Sequence, residues 1–108
     1  MSEMRHLIAQ ASEMIDTALK QANEMYSPFH SLHEGYGVMK EEVEEATDDF
    51  DIIVWWYNEY WAATKADDFK RARKAAEQMK HITRKAIAEL AQVGAMAAKI
   101  TQSMEGME

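Results

Sequence analysis

The chain has 108 residues, 47% of them hydrophobic, a formal net charge of −7 at pH 7 and no cysteine. That length points to one domain, and the apolar fraction excludes a disordered chain. The acidity disfavours a nonspecific nucleic-acid binder, which needs a basic face, while the missing cysteines exclude disulfides and thiolate metal sites and fit a cytoplasmic location.

Only one proline and four glycines occur among residues rich in Ala, Met, Glu and Lys, a helix-forming composition. No apolar run approaches the roughly 20 residues of a membrane span. The opening stretch MSEMRHLIAQ spaces its apolar positions instead of joining them, so it lacks a signal-peptide layout. An all-α bundle of about three helices, two of them long, is therefore expected over residues 1–108. Nine methionines and three tryptophans exceed what one thin bundle hides, so completion by oligomerisation is expected, with a dimer favoured.

The first helix is expected from Glu3 to Tyr26, where Met4, Leu7, Ile8, Ala11, Met14, Ile15, Ala18, Leu19, Ala22 and Met25 make one apolar stripe. Ser27-Pro28-Phe29-His30 breaks it. A second helix opens at Ser31, which has capping-box spacing to Glu34, and runs to about Ala63. Thr64 to Asp68 reads as a turn, with Thr64 or Asp67 capping a third helix that reaches about Ser103. Residues 104–108 are expected to fray.

The second helix holds seven acids between Glu41 and Asp51. At ~100° per residue, Leu32, Met39, Val43, Ala46, Phe50, Ile53 and Tyr57 share a core stripe. Glu42, Glu45 and Asp49 align on its flank with Val38, Ile52 and Trp56, whereas Glu44, Asp48 and Asp51 turn to solvent. In the third helix Met79, Ile82, Ala86, Leu90, Val93, Ala97 and Ile100 form the core stripe, with Glu89 and Gln92 on the flank beside Lys85 and Met96. Antiparallel pairing would bring Glu42, Glu45 and Glu89 together as a cluster that needs protons or a cation. Its oxygen-only donors suit Mg²⁺ or Mn²⁺ and not zinc. The bland alternative is a solvated acidic face, with Lys85 and Glu89 an ordinary i,i+4 pair.

The stretch Phe29-His30-Ser31-Leu32-His33-Glu34-Gly35-Tyr36-Gly37-Val38-Met39-Lys40-Glu41-Glu42-Val43-Glu44-Glu45 resembles the MazG-like branch of the all-α nucleoside triphosphate pyrophosphatases. Glu41, Glu42 and Glu45 match that superfamily's E-E-x-x-E motif. Glu89-Leu90-Ala91-Gln92, followed by the alanine-rich run from Val93 to Ala98, stands where its later E-x-x-D motif lies. The resemblance covers residues 29–100 and is poorer between Trp55 and Lys80.

It implies attack of water on the α-phosphorus of a nucleoside triphosphate, releasing the monophosphate and pyrophosphate. It also implies magnesium ligands at Glu42, Glu45 and Glu89, with Gln92 in the fourth place and Glu41 supporting the metal or its water. Gln92 departs from the motif: an amide oxygen binds Mg²⁺ but lacks the charge and the proton-accepting capacity of a carboxylate. That departure leaves a second reading open, a catalytically weak or inactive nucleotide-binding or protein-interaction module.

His33 and Lys85 are candidate substrate contacts, each weighed against a capping or charge-neutralising role. Arg71, Arg73, Lys74, Lys80 and Arg84 are expected to be solvated partners of the acids. Trp55 falls on the outer side of helix 2, with Trp56 and Trp61 nearer the core. Ala91, Gly94, Ala95 and Ala98 form a small-residue face that admits another helix closely. Glu3 and His6 have the Glu-x-x-His step of a di-iron bundle, but no second copy of the step exists.

Overall fold

The computed structural model describes residues 2–107 as three helices: α1 (Ser2–Met25), α2 (Leu32–Lys65) and α3 (Phe69–Met104). The chain is all-α, as expected, and no described helix is long and apolar enough to cross a membrane.

The helix boundaries have local causes. Ser31 caps α2 by accepting a hydrogen bond from the Glu34 N–H at 3.1 Å. The Glu34 carboxylate closes the other half one residue early, accepting from the His30 N–H at 3.1 Å. The cap of α3 is Asp68, whose side chain accepts from the Arg71 N–H, and not Thr64 or Asp67. Asp67 takes the left-handed conformation, φ 50°, that turns the chain, while the Thr64 hydroxyl bonds back to the Tyr60 carbonyl. Residue 67 therefore makes the turn, and its neighbour is free to cap. Arg71 then clasps Glu59 across the hairpin at 3.1 Å.

α2 runs antiparallel to α3, from Glu59–Arg71 through Asp49–Lys85 to Gly35 against Ile100. α1 runs parallel to α3, with Ile15 on Gly94 and Asn23 bonded to Gln102. The small-residue face of α3 is where α1 docks: a Cβ on Gly94 would stand 2.7 Å from Ile15 Cδ1. Among the described residues, the α1 and α2 backbones do not approach each other, and both rest on α3. The core gathers where the three helices meet, around Ala18, Phe29, Ala95 and Met96. Phe29 anchors the loop there, its N–H donating to the buried Ser103 hydroxyl at 3.0 Å.

Several expected core positions face solvent instead. In α2 the buried line is Gly35, Ala46, Asp49 and Ala63, whereas Leu32, Val43, Phe50 and Tyr57 are exposed. The helix is rotated so that small residues and the acidic flank meet α3. Leu90 and Ala97 of α3 are exposed too, while Met96, assigned to the flank, is buried. The amino-terminal half of α1, with Met4, Leu7 and Ile8, has no covering element. Trp55 is exposed as expected and Trp56 is half-buried, but Trp61 is exposed. The expected frayed tail folds back, with Met107 packed on the core; Glu108 lies outside the described residues.

Candidate functional site: a carboxylate cluster beside a cleft

Glu42 and Glu45 stand one turn apart on α2, opposite Glu89 of α3. One oxygen from each carboxylate lies within 4.8 Å of the other two. Antiparallel packing and the rotation of α2 bring them together, because the acidic flank is the face that meets α3. Glu42 is half-buried, and the Glu89 side chain is only 20% exposed.

The cluster resists its own charge. Partial burial raises the Glu42 carboxyl above the usual range, and the charges of Glu45 and Glu41 raise it further. Glu89 is also raised, first by burial and then by a hydrogen bond to Glu45 and that neighbour's charge, with Lys85 opposing. A proton or a cation relieves this repulsion. Oxygen-only donors in partial burial suit a hard dication.

Asp49, one turn beyond Glu45, is 2% exposed. Its Oδ1 accepts from Lys85 Nζ at 2.7 Å, and its Oδ2 has no hydrogen-bond partner among the described residues. Lys85 Nζ also lies 3.8 Å from Glu89. The Asp49 hydrogen bond raises the lysine above its ordinary value, partial desolvation opposes this, and the charges of Asp49, Glu89 and Glu45 add to it. Lys85, weighed from the sequence as either a substrate contact or a neutralising partner of Glu89, is paired here with Asp49 and Glu89 while its side chain stays 60% exposed.

Because α1 and α2 rest separately on α3, a cleft of about 570 Å³ opens between them. Glu41, Glu42 and Gln92 line one part of it, and Ala18, Ala22 and Val38 give it an apolar wall. Gln92 follows Glu89 by one turn of α3, so the site residues Glu41, Glu42, Glu45, Glu89 and Gln92 form one continuous surface. His33 is exposed and is not among the residues lining the cleft.

Lys99 lines the same cleft and was not anticipated from the sequence. It is 3% exposed, with Nζ 5.0 Å from the Phe29 ring centre and 5.7 Å from that of Tyr26. Among the described residues no carboxylate lies within 4.0 Å of it, so its ammonium donors remain available inside the cleft. The available signal was its position as a lone cation between the alanine-rich run and Ile100. Comparison with protein-family models, curated proteins and solved structures finds no match to this chain.

Proposed function

We propose that the chain is a Mg²⁺-dependent nucleoside triphosphate pyrophosphohydrolase of MazG-like type, with Mn²⁺ able to replace Mg²⁺. The observation that carries the reading is the convergence of Glu42, Glu45 and Glu89 at the edge of a cleft that also holds Glu41 and Gln92. These are the positions at which the sequence resembles that superfamily.

The residues present fit a hard dication: three clustered carboxylates, two of them with raised pKa, and an amide oxygen one turn away. When bound, the metal neutralises phosphate charge and makes water more acidic. The chain's own side chains do the rest. Glu41, on the cleft wall, accepts a proton from the water that attacks the α-phosphorus. The bond to the bridging oxygen breaks, and pyrophosphate leaves. The apolar wall shields the nucleoside, and Lys99 donates a hydrogen bond to it. Lys85 holds Asp49 and Glu89 in place and does not touch phosphate. The absence of cysteine fits a cytoplasmic setting, where the substrate class is abundant.

A second reading is favoured by Gln92, whose neutral amide stands where related enzymes carry a carboxylate. In it the cleft binds nucleotide, or the helices bind a protein, without turnover. Pyrophosphate release from a panel of NTPs and dNTPs, with and without Mg²⁺, separates the two. Metal-dependent release that Glu45→Gln abolishes supports the enzyme. Nucleotide binding with no release supports the module.

A further inference from the structure

Lys99 lines the cleft and is almost wholly buried, yet no described residue accepts a hydrogen bond from it or forms an ion pair with it. A buried ammonium without acceptors is costly. Two features of the fold hold it there. It stands on the buried face of α3 with Ala95, Met96 and Ser103. The Phe29 and Tyr26 rings also flank its Nζ, at 5.0 and 5.7 Å. Phe29 is fixed in that place, because its N–H donates to the Ser103 hydroxyl one turn beyond Lys99. Ring faces offset the positive charge, but they leave the N–H donors of the ammonium unfilled.

The rest of the cleft decides what fills them. Its charged lining is Glu34, Glu41 and Glu42 against Lys99 alone. The field there is negative, so an anion enters only in company with a cation. A triphosphate carrying Mg²⁺ therefore belongs at the carboxylate cluster, and a neutral acceptor belongs at Lys99. The spacing agrees. Lys99 lies seven residues past Gln92, roughly 10 Å along α3, comparable to the reach from an α-phosphate across the sugar to the outer edge of the base. Ala22, Val38 and Met96 make the intervening wall apolar, as a flat ring requires.

We infer that Lys99 selects nucleotides whose base carries a carbonyl on its outer edge, 6-oxopurines and 4-oxopyrimidines, over the amino bases adenine and cytosine. An ammonium donates hydrogen bonds and accepts none. A 6-oxopurine offers it the O6 and N7 acceptors, and a 4-oxopyrimidine offers O4. Adenine and cytosine present an amine at the corresponding place, so donor faces donor. Inside a cleft that holds the lysine away from bulk water, solvent relieves little of that mismatch. This inference rests on the nucleotide reading of the cleft and adds to it the class of base.

Two pairs of nucleotides isolate the contact. ITP and ATP differ only in the exchange of a carbonyl for an amine and in the proton of the adjoining ring nitrogen, as do UTP and CTP. With Mg²⁺, kcat/KM for pyrophosphate release is expected to favour ITP over ATP and UTP over CTP by ~10-fold or more. Lys99→Met should bring both ratios to within about twofold of one, chiefly by lowering the ITP and UTP values. Helicity should be retained, since the change removes a buried charge and keeps an apolar stem. Lys99→Gln, whose amide both donates and accepts, should fall between the two. Lys20→Met, exposed on α1 outside the cleft lining, should leave both ratios unchanged. Binding of the α,β-methylene analogues reads the same ratios for a chain that holds nucleotides without cleaving them. Wild-type ratios near one, or ratios that neither Lys99 variant moves, would overturn this inference alone. A wild type that neither cleaves nor binds any of the four nucleotides would overturn the nucleotide reading, and this inference with it.

Discussion

Asp49 is the residue on which the polar interior turns. Its buried carboxylate has one oxygen on Lys85 and one without a partner, so removing the lysine leaves a buried charge uncompensated. Lys85→Met should lower the melting temperature, and combining it with Asp49→Leu should recover much of the loss. Thermal melts of the two single variants and the double variant measure the coupling. A double variant less stable than either single one would mean that the pair is independent.

Gln92 is informative at the same scale, because it holds the departure from the motif. Gln92→Asp should strengthen Mn²⁺ binding and raise any pyrophosphate release, since a carboxylate attracts a hard dication more strongly than an amide does. Glu89→Gln should weaken both. Calorimetric Mn²⁺ titration of the wild type and the two variants checks this; identical isotherms would remove Gln92 from the site.

At the scale of the helices, two glycines make opposite demands. A Cβ on Gly37 meets nothing within 4 Å, and its φ is not positive, so Gly37→Ala should stabilise the protein by about 0.5–1 kcal/mol. Gly94→Val should destabilise it by about 1–3 kcal/mol, because its side chain would enter the space of Ile15. Urea unfolding compares the two changes under one condition.

The helices also show where sequence reading succeeds and where it stops. The Ser31–Glu34 pattern, the Pro28 break and the small-residue face of α3 were legible because each is a local signal or a run of one residue type. The cluster was legible because Glu42, Glu45 and Glu89 share flanks fixed by helical geometry. What periodicity cannot give is which of two adjacent faces meets the neighbour. The most apolar line of α2 faces outward, since α3 approaches along Gly35, Ala46 and Ala63, where the side chains are smallest. Asp49 and Lys99 are hidden from sequence for the same reason. A charged residue declares a burial only once its neighbours are known.

For the whole molecule, the acids shape the response to pH. Glu42 and Glu89 have folded-state pKa values above the ordinary 4.5, so the folded chain holds protons that the unfolded chain releases. Their linkage therefore lowers stability as pH rises from 4.5 through the raised values, and the loss is complete above them. Metal-free melting temperatures should carry this falling component, and millimolar Mg²⁺ or Mn²⁺ should remove it by binding the ionised cluster. Melts across pH with and without metal test this, and Glu45→Gln should shrink the metal gain. A metal-independent profile would rule out cation binding at the cluster.

The molecule measures 60 × 32 × 23 Å, with a radius of gyration of 17.9 Å, against about 13 Å for a globular chain of this length. Its extension comes largely from a hairpin whose helices are neighbours in sequence, whereas α1 reaches its seat on α3 across nearly the whole chain, Asn23 meeting Gln102 over 79 positions. Hairpin contacts close a short loop, while α1 must close a long one against greater entropy. The hairpin is thus placed to form early and α1 to dock last. In the native state the order reverses: the amides of residues 2–12, on the uncovered half of α1, should exchange with solvent fastest among the helices. Opening of α1 also removes one wall of the cleft, so a nucleotide bound there should slow exchange throughout α1.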